Sequence, residues 1–180
     1  IGVAAIQMAK AVGAKVIATS RGAEKAAEAK RLGADVSIDV TSQDFEEIAK
    51  AEGGVDVVLD MVGGDYFAKN LAALKIGGRI CYIASQAGGP CVAAEKSSSM
   101  PIGALMQKRG YITGSTLRPR PPEEKARLAG EVERVVWPWV AGGKVKAVVD
   151  RVFPLGKAAE AHAFLESGAH VGKVMMDPWA

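Results

Sequence analysis

The chain has 180 residues, of which 49% are hydrophobic, and a formal net charge of +3. This content suits one sizeable core, while the near balance of 23 basic and 20 acidic residues is too even to indicate a nucleic-acid partner. No apolar run approaches the roughly 20 residues needed to cross a bilayer, so we expect no membrane partner.

Cys81 and Cys91 are ten residues apart and form neither a disulfide framework nor a C-x-x-C metal motif. Isolated thiols favour a reducing compartment, and we therefore expect the cytoplasm. His162 and His170 have no Cys or carboxylate pattern around them. The sequence consequently predicts no metal site.

Strand-like and helix-like segments alternate along the chain, which is the pattern of a parallel sheet with crossover helices. The predicted helices cover 2–12, 23–32, 43–51, 65–74, 101–108, 123–141 and 156–167. The predicted strands cover 15–20, 36–38, 55–60, 79–84, 110–116, 145–153 and 172–176. Four of the six residues in the strand at 55–60 are apolar, so we expect it to be buried.

Three other segments have a distinct composition. Residues 86–99 are rich in Gly, Ala and Ser and predict a mobile loop, and Pro138 is expected to end the regular part of its helix. After Gly142-Gly143 the character of the chain changes. We therefore predict a dinucleotide-binding domain over 1–144, N-terminally incomplete, and a tail over 145–180 that runs towards a second lobe.

The first 25 residues indicate the core of a dinucleotide-binding βαβ unit: a helix after Gly2, a tight turn at Gly13 and a strand at 15–20. A complete unit opens with a strand and a G-x-G-x-x-G loop, of which only the last glycine is present. Losing a central strand would leave buried backbone groups unpaired, each at about 1–3 kcal/mol. We therefore do not expect these residues alone to fold as a normal domain of this type.

Several runs resemble the medium-chain dehydrogenase/reductase superfamily. They are GVAAIQMAKAVGAKV at 2–16, LGAD at 32–35, GGVDVVLDMVGG at 53–64 and LKIGGRICYIA at 74–84. Three later runs point to its zinc-independent quinone oxidoreductase branch: KRGYITGSTLR at 108–118, DRVFPLGKAAEAH at 150–162 and HVGKVMM at 170–176. The resemblance implies an α/β fold with a Rossmann-type doubly wound parallel sheet. The first strand and the GroES-like catalytic lobe would be missing from this chain. It also implies a homodimer joined through the strand at 110–116.

The cofactor expected from this pattern is NADP(H). Gly2, Val3 and the amides that follow them would bind the pyrophosphate at a helix N-terminus. The second strand of the pattern ends at Ser20-Arg21, with Lys25 one helical turn later and no carboxylate at the place that would bond a ribose hydroxyl. Basic and hydroxyl groups there favour a 2′-phosphate. The alternative is that Arg21 and Lys25 are solvated surface charges.

Further candidate residues follow three other strands, at the edge where ligands bind in open α/β sheets. By resemblance they lie along the ribose and the nicotinamide: Gly63, Gly64, Ile83, Ala84, Ser85 and Ser115. Lys173 would reach a phosphate or a substrate oxygen, or else be a surface lysine. Asp60 is expected to cap a turn. No nucleophile–base pair is present, and the catalytic residues stay unassigned.

The resemblance implies an NADPH-dependent enzyme that transfers hydride from the nicotinamide to a small-molecule quinone or enone. A 2-enoyl thioester reductase of the same fold and a non-catalytic dinucleotide-binding module are the alternatives. Since the lobe that shapes the substrate pocket is expected to be absent, we do not expect turnover from these 180 residues alone.

Overall fold

The computed structural model of the chain describes residues 1–86 and 102–180. Cys91 and, apart from Gln86, the loop predicted at 86–99 lie outside the described residues.

Helices and strands alternate through the described residues, as the sequence predicts. The α-helices are α1 (Gly2–Ala11), α2 (Ala23–Arg31), α3 (Phe45–Ala51), α4 (Tyr66–Ala73), α5 (Ile102–Lys108), α6 (Pro122–Ala141) and α7 (Ala158–Glu166). The strands are β1 (Ile17–Ser20), β2 (Val36–Asp39), β3 (Val55–Asp60), β4 (Leu74–Tyr82), β5 (Tyr111–Gly114), β6 (Val149–Pro154) and β7 (Lys173–Asp177). A single 3₁₀ turn, Leu155–Lys157, precedes α7.

All strand pairs among these elements are parallel, which confirms the predicted α/β class. The strands form the sheets β1-β2, β3-β4-β5 and β6-β7. Within the described residues β1 pairs only with β2, and β3 only with β4, so each keeps one edge without a partner strand. This agrees with the expectation that the first strand of a Rossmann sheet is not among these elements.

The described residues form two compact units. The first contains 1–43 and 127–180, and the second lies within 44–126. The predicted division into a cofactor domain over 1–144 and a tail over 145–180 follows different boundaries and stays a prediction.

The core of the first unit forms where α1 and α2 pack beside β1. Ile6, Ala29 and Ala34 are buried together, and Val16 packs against them. Asp35 fixes this arrangement from the surface: its carboxylate accepts the Val16 N–H at 2.6 Å and the Lys10 ammonium at 2.9 Å. The Val16 amide, with Lys10 second, holds the pKa of Asp35 below its usual value.

Gln7 links α1 to the segment that leads into β6. Its side chain is buried, and it pairs with the backbone of Lys146 in both directions. The Gln7 Nε2 donates to the Lys146 carbonyl at 3.1 Å, and the Gln7 Oε1 accepts the Lys146 N–H at 2.8 Å. One carboxamide therefore satisfies both backbone groups of a residue that precedes the strand.

The core of the second unit lies on one face of its sheet. Leu71 of α4 is buried with Leu74 and Ile80 of β4. The prediction that β3 is buried is wrong for Val57 and Leu59, whose side chains are 64% and 44% exposed. Successive strand side chains alternate between the two faces, and in β3 only the face that meets this core is covered.

The expectation for Pro138 is also wrong, because α6 continues through it to Ala141. A proline inside a helix removes one N–H donor, but its own carbonyl still accepts. The Gly142 N–H donates to the Pro138 carbonyl at 2.9 Å, so the next turn closes normally. The destabilisation that the missing N–H causes is therefore confined to the turn before Pro138.

Gly172, just before β7, lies so close to the backbone of Val148 that only glycine fits there. Its replacement therefore tests the fold of the first unit. Gly172 has a φ of +96°, and a Cβ built there would lie 2.4 Å from the Val148 carbonyl oxygen. That carbonyl already accepts the Lys173 N–H at 2.8 Å. We expect Gly172→Ala to lower the free energy of unfolding of the full-length protein by about 1–3 kcal/mol, measured by urea denaturation.

The matched control is Gly156→Ala in the turn before α7, where a Cβ would meet nothing within 4 Å. This variant is expected to unfold at the same urea concentration as the wild type. Equal midpoints for the two alanine variants would contradict the close approach at Gly172.

Candidate dinucleotide-binding site

The N-terminus of α1 presents backbone amides that the helix itself does not use. The first N–H groups of an α-helix have no carbonyl four residues earlier to donate to. Ile1, at the N-cap position, makes no side-chain capping hydrogen bond. A Cβ on Gly2 would meet nothing within 4 Å, so the space beside Gly2 is open. These amides and the positive end of the helix dipole suit an anion such as a pyrophosphate.

The end of β1 carries a hydroxyl without a partner. The Ser20 Oγ is buried and makes no hydrogen bond among the described residues. Buried polar atoms of this kind are uncommon, because leaving one unsatisfied costs about 1–3 kcal/mol. Arg21, the next residue, is exposed. A hydroxyl donor beside a guanidinium fits a phosphate group.

Asp39, which sequence reasoning missed, supports the turn that carries Arg21. It ends β2, in register with Ser20, and its Oδ1 accepts the Gly22 N–H at 2.8 Å. The same oxygen accepts the Thr41 hydroxyl at 2.7 Å. The Thr41 hydroxyl, followed by the Thr41 and Gly22 amides, holds the pKa of Asp39 below its usual value. The signal in the sequence was an Asp two residues before a Thr at a strand end.

Lys25 points to the tail of the chain. Its Nζ donates to the carbonyl of Gly168, in the turn after α7. An ammonium group has three N–H donors, so this contact leaves capacity for a second acceptor. Lys173 is exposed on β7, and the described part of the chain does not bring its side chain together with another predicted site residue.

In the second unit, Asp60 holds the turn that follows β3. Its Oδ1 accepts the N–H groups of Val62 at 2.6 Å and Gly63 at 3.0 Å. Its Oδ2 accepts the side-chain amide of Asn70, from α4, at 2.7 Å. These hydrogen bonds confirm the expectation that Asp60 caps a turn. They also add Asn70, which no local pattern in the sequence indicates.

The turns after β3 and β4 lie against each other. Gly63 has a φ of +71°, and a Cβ built on it would lie 2.8 Å from the Ser85 hydroxyl oxygen. The Ile83 N–H donates to the Asp60 carbonyl at 2.9 Å, and the Gln86 N–H donates to the Met61 carbonyl at 3.0 Å. The structure therefore brings Gly63 and Ser85 together, with Gly64, Ile83 and Ala84 in the same two turns.

Ser115 extends this edge to the end of β5. Its N–H donates to the Tyr82 carbonyl at 2.9 Å. Its hydroxyl accepts from the Arg120 guanidinium at 2.9 Å, and Arg120 also donates to the Thr116 carbonyl at 2.7 Å. Sequence reasoning missed Arg120, which lies in a proline-rich stretch with no regular period.

Eight of the predicted residues thus fall into two groups, one in each unit. Ser20 and Arg21 stand together at the end of β1, and the turns after β3, β4 and β5 form one edge. Among the residues that the structure describes, no group of three or more His, Cys, Asp or Glu side chains is placed to hold a metal ion. No helix in the described ranges is long and apolar enough to cross a membrane.

Comparisons with known proteins agree with this geometry. Residues 1–134 match the family described as zinc-binding dehydrogenase. The acryloyl-coenzyme A reductase of Sulfurisphaera tokodaii is 32% identical over 99% of this chain and 48% of its own length. Quinone oxidoreductase 1 of Escherichia coli is 31% identical over 99% of this chain and 54% of its own.

The fold is shared with solved structures. The quinone oxidoreductase of Thermus thermophilus, solved also in complex with NADPH, has a TM-score of 0.79 and 32% identity. That match covers 97% of this chain and 53% of the other. The chain thus spans about half the length of the relatives that it matches. From the family match, these identities and the shared fold, the chain belongs to the zinc-binding dehydrogenase family and, within the medium-chain dehydrogenase/reductase superfamily, to the quinone oxidoreductase type.

Proposed function

We propose that the protein containing this chain is an NADP(H)-dependent oxidoreductase and that this chain supplies most of its cofactor-binding part. The observation that carries the proposal is the end of β1, where the unpartnered Ser20 hydroxyl and the exposed Arg21 replace the carboxylate of an NAD site. The Thermus thermophilus relative, solved with NADPH, supports the same cofactor. Lys25 would add a second cation, and the amides at Gly2 and Val3 would hold the pyrophosphate.

The chemistry of such a protein belongs to the bound cofactor, which supplies a hydride from the nicotinamide ring. The residues of this chain would bind and orient it: Gly63, Gly64, Ile83, Ala84, Ser85 and Ser115 would line its nicotinamide half, and Lys173 stays a candidate phosphate or substrate contact. The substrate that we propose is a quinone or enone, since an electron-poor double bond conjugated to a carbonyl accepts hydride.

The second candidate function is reduction of a 2-enoyl thioester. It is favoured by the acryloyl-coenzyme A reductase of Sulfurisphaera tokodaii, which is about as similar to this chain as the quinone oxidoreductases are. A quinone and an enoyl thioester offer the same conjugated acceptor, so the cofactor-binding residues do not distinguish them. A non-catalytic dinucleotide-binding module is less favoured, because these relatives are named as enzymes.

Our first functional prediction concerns the 2′-phosphate. We expect the full-length protein to bind NADPH more tightly than NADH, and Arg21→Ala to weaken NADPH binding by about 1.5–3 kcal/mol, because a charge-assisted hydrogen bond is lost. NADH binding should not change, since NADH lacks that phosphate. Fluorescence titration of both cofactors gives the dissociation constants.

Arg31→Ala is the control, because Arg31 lies on α2 and pairs with Glu28 of the same helix at 2.6 Å. It should leave both dissociation constants unchanged. Equal affinity of the wild type for NADPH and NADH would contradict the proposed cofactor preference.

A second prediction concerns turnover and metal. We expect the full-length protein to oxidise NADPH with 1,4-benzoquinone or with crotonyl-coenzyme A, and the faster acceptor identifies the substrate class. Dialysis against EDTA should leave this rate unchanged, because we propose a zinc-independent reaction. Loss of activity that zinc restores would refute the zinc-independent branch, and no turnover with either acceptor would refute the reductase.

The cytoplasm is the proposed location, supported by Cys81, a free thiol in the described residues.

We also propose that the protein is a homodimer joined through β5. Tyr111 on this strand is 56% exposed and carries the Arg79 guanidinium 5.2 Å from its ring centroid. β5 pairs only with β4 in the described residues, and such an open edge is a ready template for a second strand.

The geometry of β5 gives a selective test of this dimer. The Ser115 N–H points to β4, so by the two-residue period of a strand the Ile112 N–H points to the other edge. Ile112→Pro should therefore disrupt pairing between copies while sparing the pairing with β4, and Ile112→Thr, which keeps the N–H, is the control. Light scattering at micromolar concentration should show a dimer for wild type and the threonine variant. A monomeric wild type would rule out the dimer.

A further inference from the structure

We infer that Asp60 is a positioning residue for the nicotinamide half of the cofactor, acting through the turn at 61–64 rather than by touching the reacting atoms. The inference rests on the proposed function. Its support is a buried hydrogen-bond network that joins the end of β3 to α4 and to the turn after β4.

The network is closed and buried. Asp60 is 4% exposed and Asn70 is 5% exposed. Each of the three groups that Asp60 meets is a donor: the N–H groups of Val62 and Gly63 on one oxygen, and the Asn70 amide on the other. A carboxylate accepts on both oxygens, so this set satisfies it without any donation from Asp60. No role in proton transfer is needed to explain why it is there.

The turn that Asp60 holds packs directly against the residues that follow β4. Gly63 approaches Ser85 so closely that a single added carbon would lie 2.8 Å from the serine hydroxyl. The Gln86 N–H bonds the Met61 carbonyl at 3.0 Å, which ties the same turn to the residues after β4. A change at Asp60 is therefore expected to move two turns and not one.

These turns lie where the second half of a dinucleotide binds. In a Rossmann sheet each set of three strands binds one mononucleotide, and the residue that reads the adenosine ribose follows a strand of the first set. In this chain that residue is in the β1 region, so β3, β4 and β5 form the second set. The turns after them receive the nicotinamide mononucleotide, and hydride transfer depends on their placement to within about 1 Å.

The test compares the binding of NADPH with the binding of 2′,5′-ADP, its adenosine half, to the full-length protein. We expect Asp60→Ala to weaken NADPH binding at least about tenfold and to lower kcat on the order of a hundredfold. Binding of 2′,5′-ADP, which contains only the adenosine half, should stay within about twofold of wild type, since its contacts lie in the other unit. Asp56→Asn is the control: it lies on the same strand and its carboxylate pairs at the surface with Lys75.

Exchanging the side chains of Asp60 and Asn70 provides a second test if the alanine variant does not fold. In Asn70→Asp the new carboxylate faces the Asp60 carboxylate, acceptor against acceptor, and no rotation of either side chain supplies a donor, so we expect the loss of NADPH binding. Adding Asp60→Asn supplies an amide donor to the new carboxylate on α4, while the carbonyl oxygen of the side chain introduced at position 60 still accepts from Val62 and Gly63. The double variant should therefore recover NADPH binding.

The outcomes separate this inference from the proposed function. Equal weakening of NADPH and 2′,5′-ADP, no weakening of either, or no recovery in the double variant would overturn the inference. A wild type that binds neither ligand would refute the proposed function itself.

Discussion

Parallel pairing of β3, β4 and β5 is the constraint on which the second half of the candidate site depends. Asp60 is in register with Tyr82, and Tyr82 with Gly114. Because the three strands run in the same direction, their last residues form one row, and the turns that follow begin side by side. The polar groups of those turns then bond each other, as the Asp60 and Ser85 regions do. The strands themselves therefore bring the described polar groups of this edge together.

Much of this arrangement is readable from the sequence because its signals are local. The apolar run bounded by Gly54 and Gly63 predicts β3 with the bounds that the structure has. An Asp at the end of that run predicts a cap for the turn. The basic and hydroxyl residues after β1 predict the anion-binding character of that strand end, which the unpartnered Ser20 hydroxyl supports. Each of these inferences uses residues within a few positions of one another.

The features that sequence reasoning missed are of two kinds. Asn70 reaches Asp60, and Lys25 reaches Gly168, through folded geometry that no local period encodes. The exposure of Val57 and Leu59 is the opposite case: the sequence shows their apolar character, but only packing decides whether their face is covered. Apolar pattern predicts the capacity for burial and not the burial itself.

The pairing of Gln7 with Lys146 has a consequence for how the chain enters its last two strands. A side chain that hydrogen-bonds both backbone groups of one residue fixes the register of that segment. The two bonds between Gln7 and Lys146 form together only when Lys146, and not its neighbour, lies beside Gln7 on α1. Val145, next to Lys146, is buried. Val145 has a lysine on each side, so a slip of one position in either direction would place a lysine where Val145 packs. A single amide on α1 thereby fixes which residue faces the core just before β6 begins.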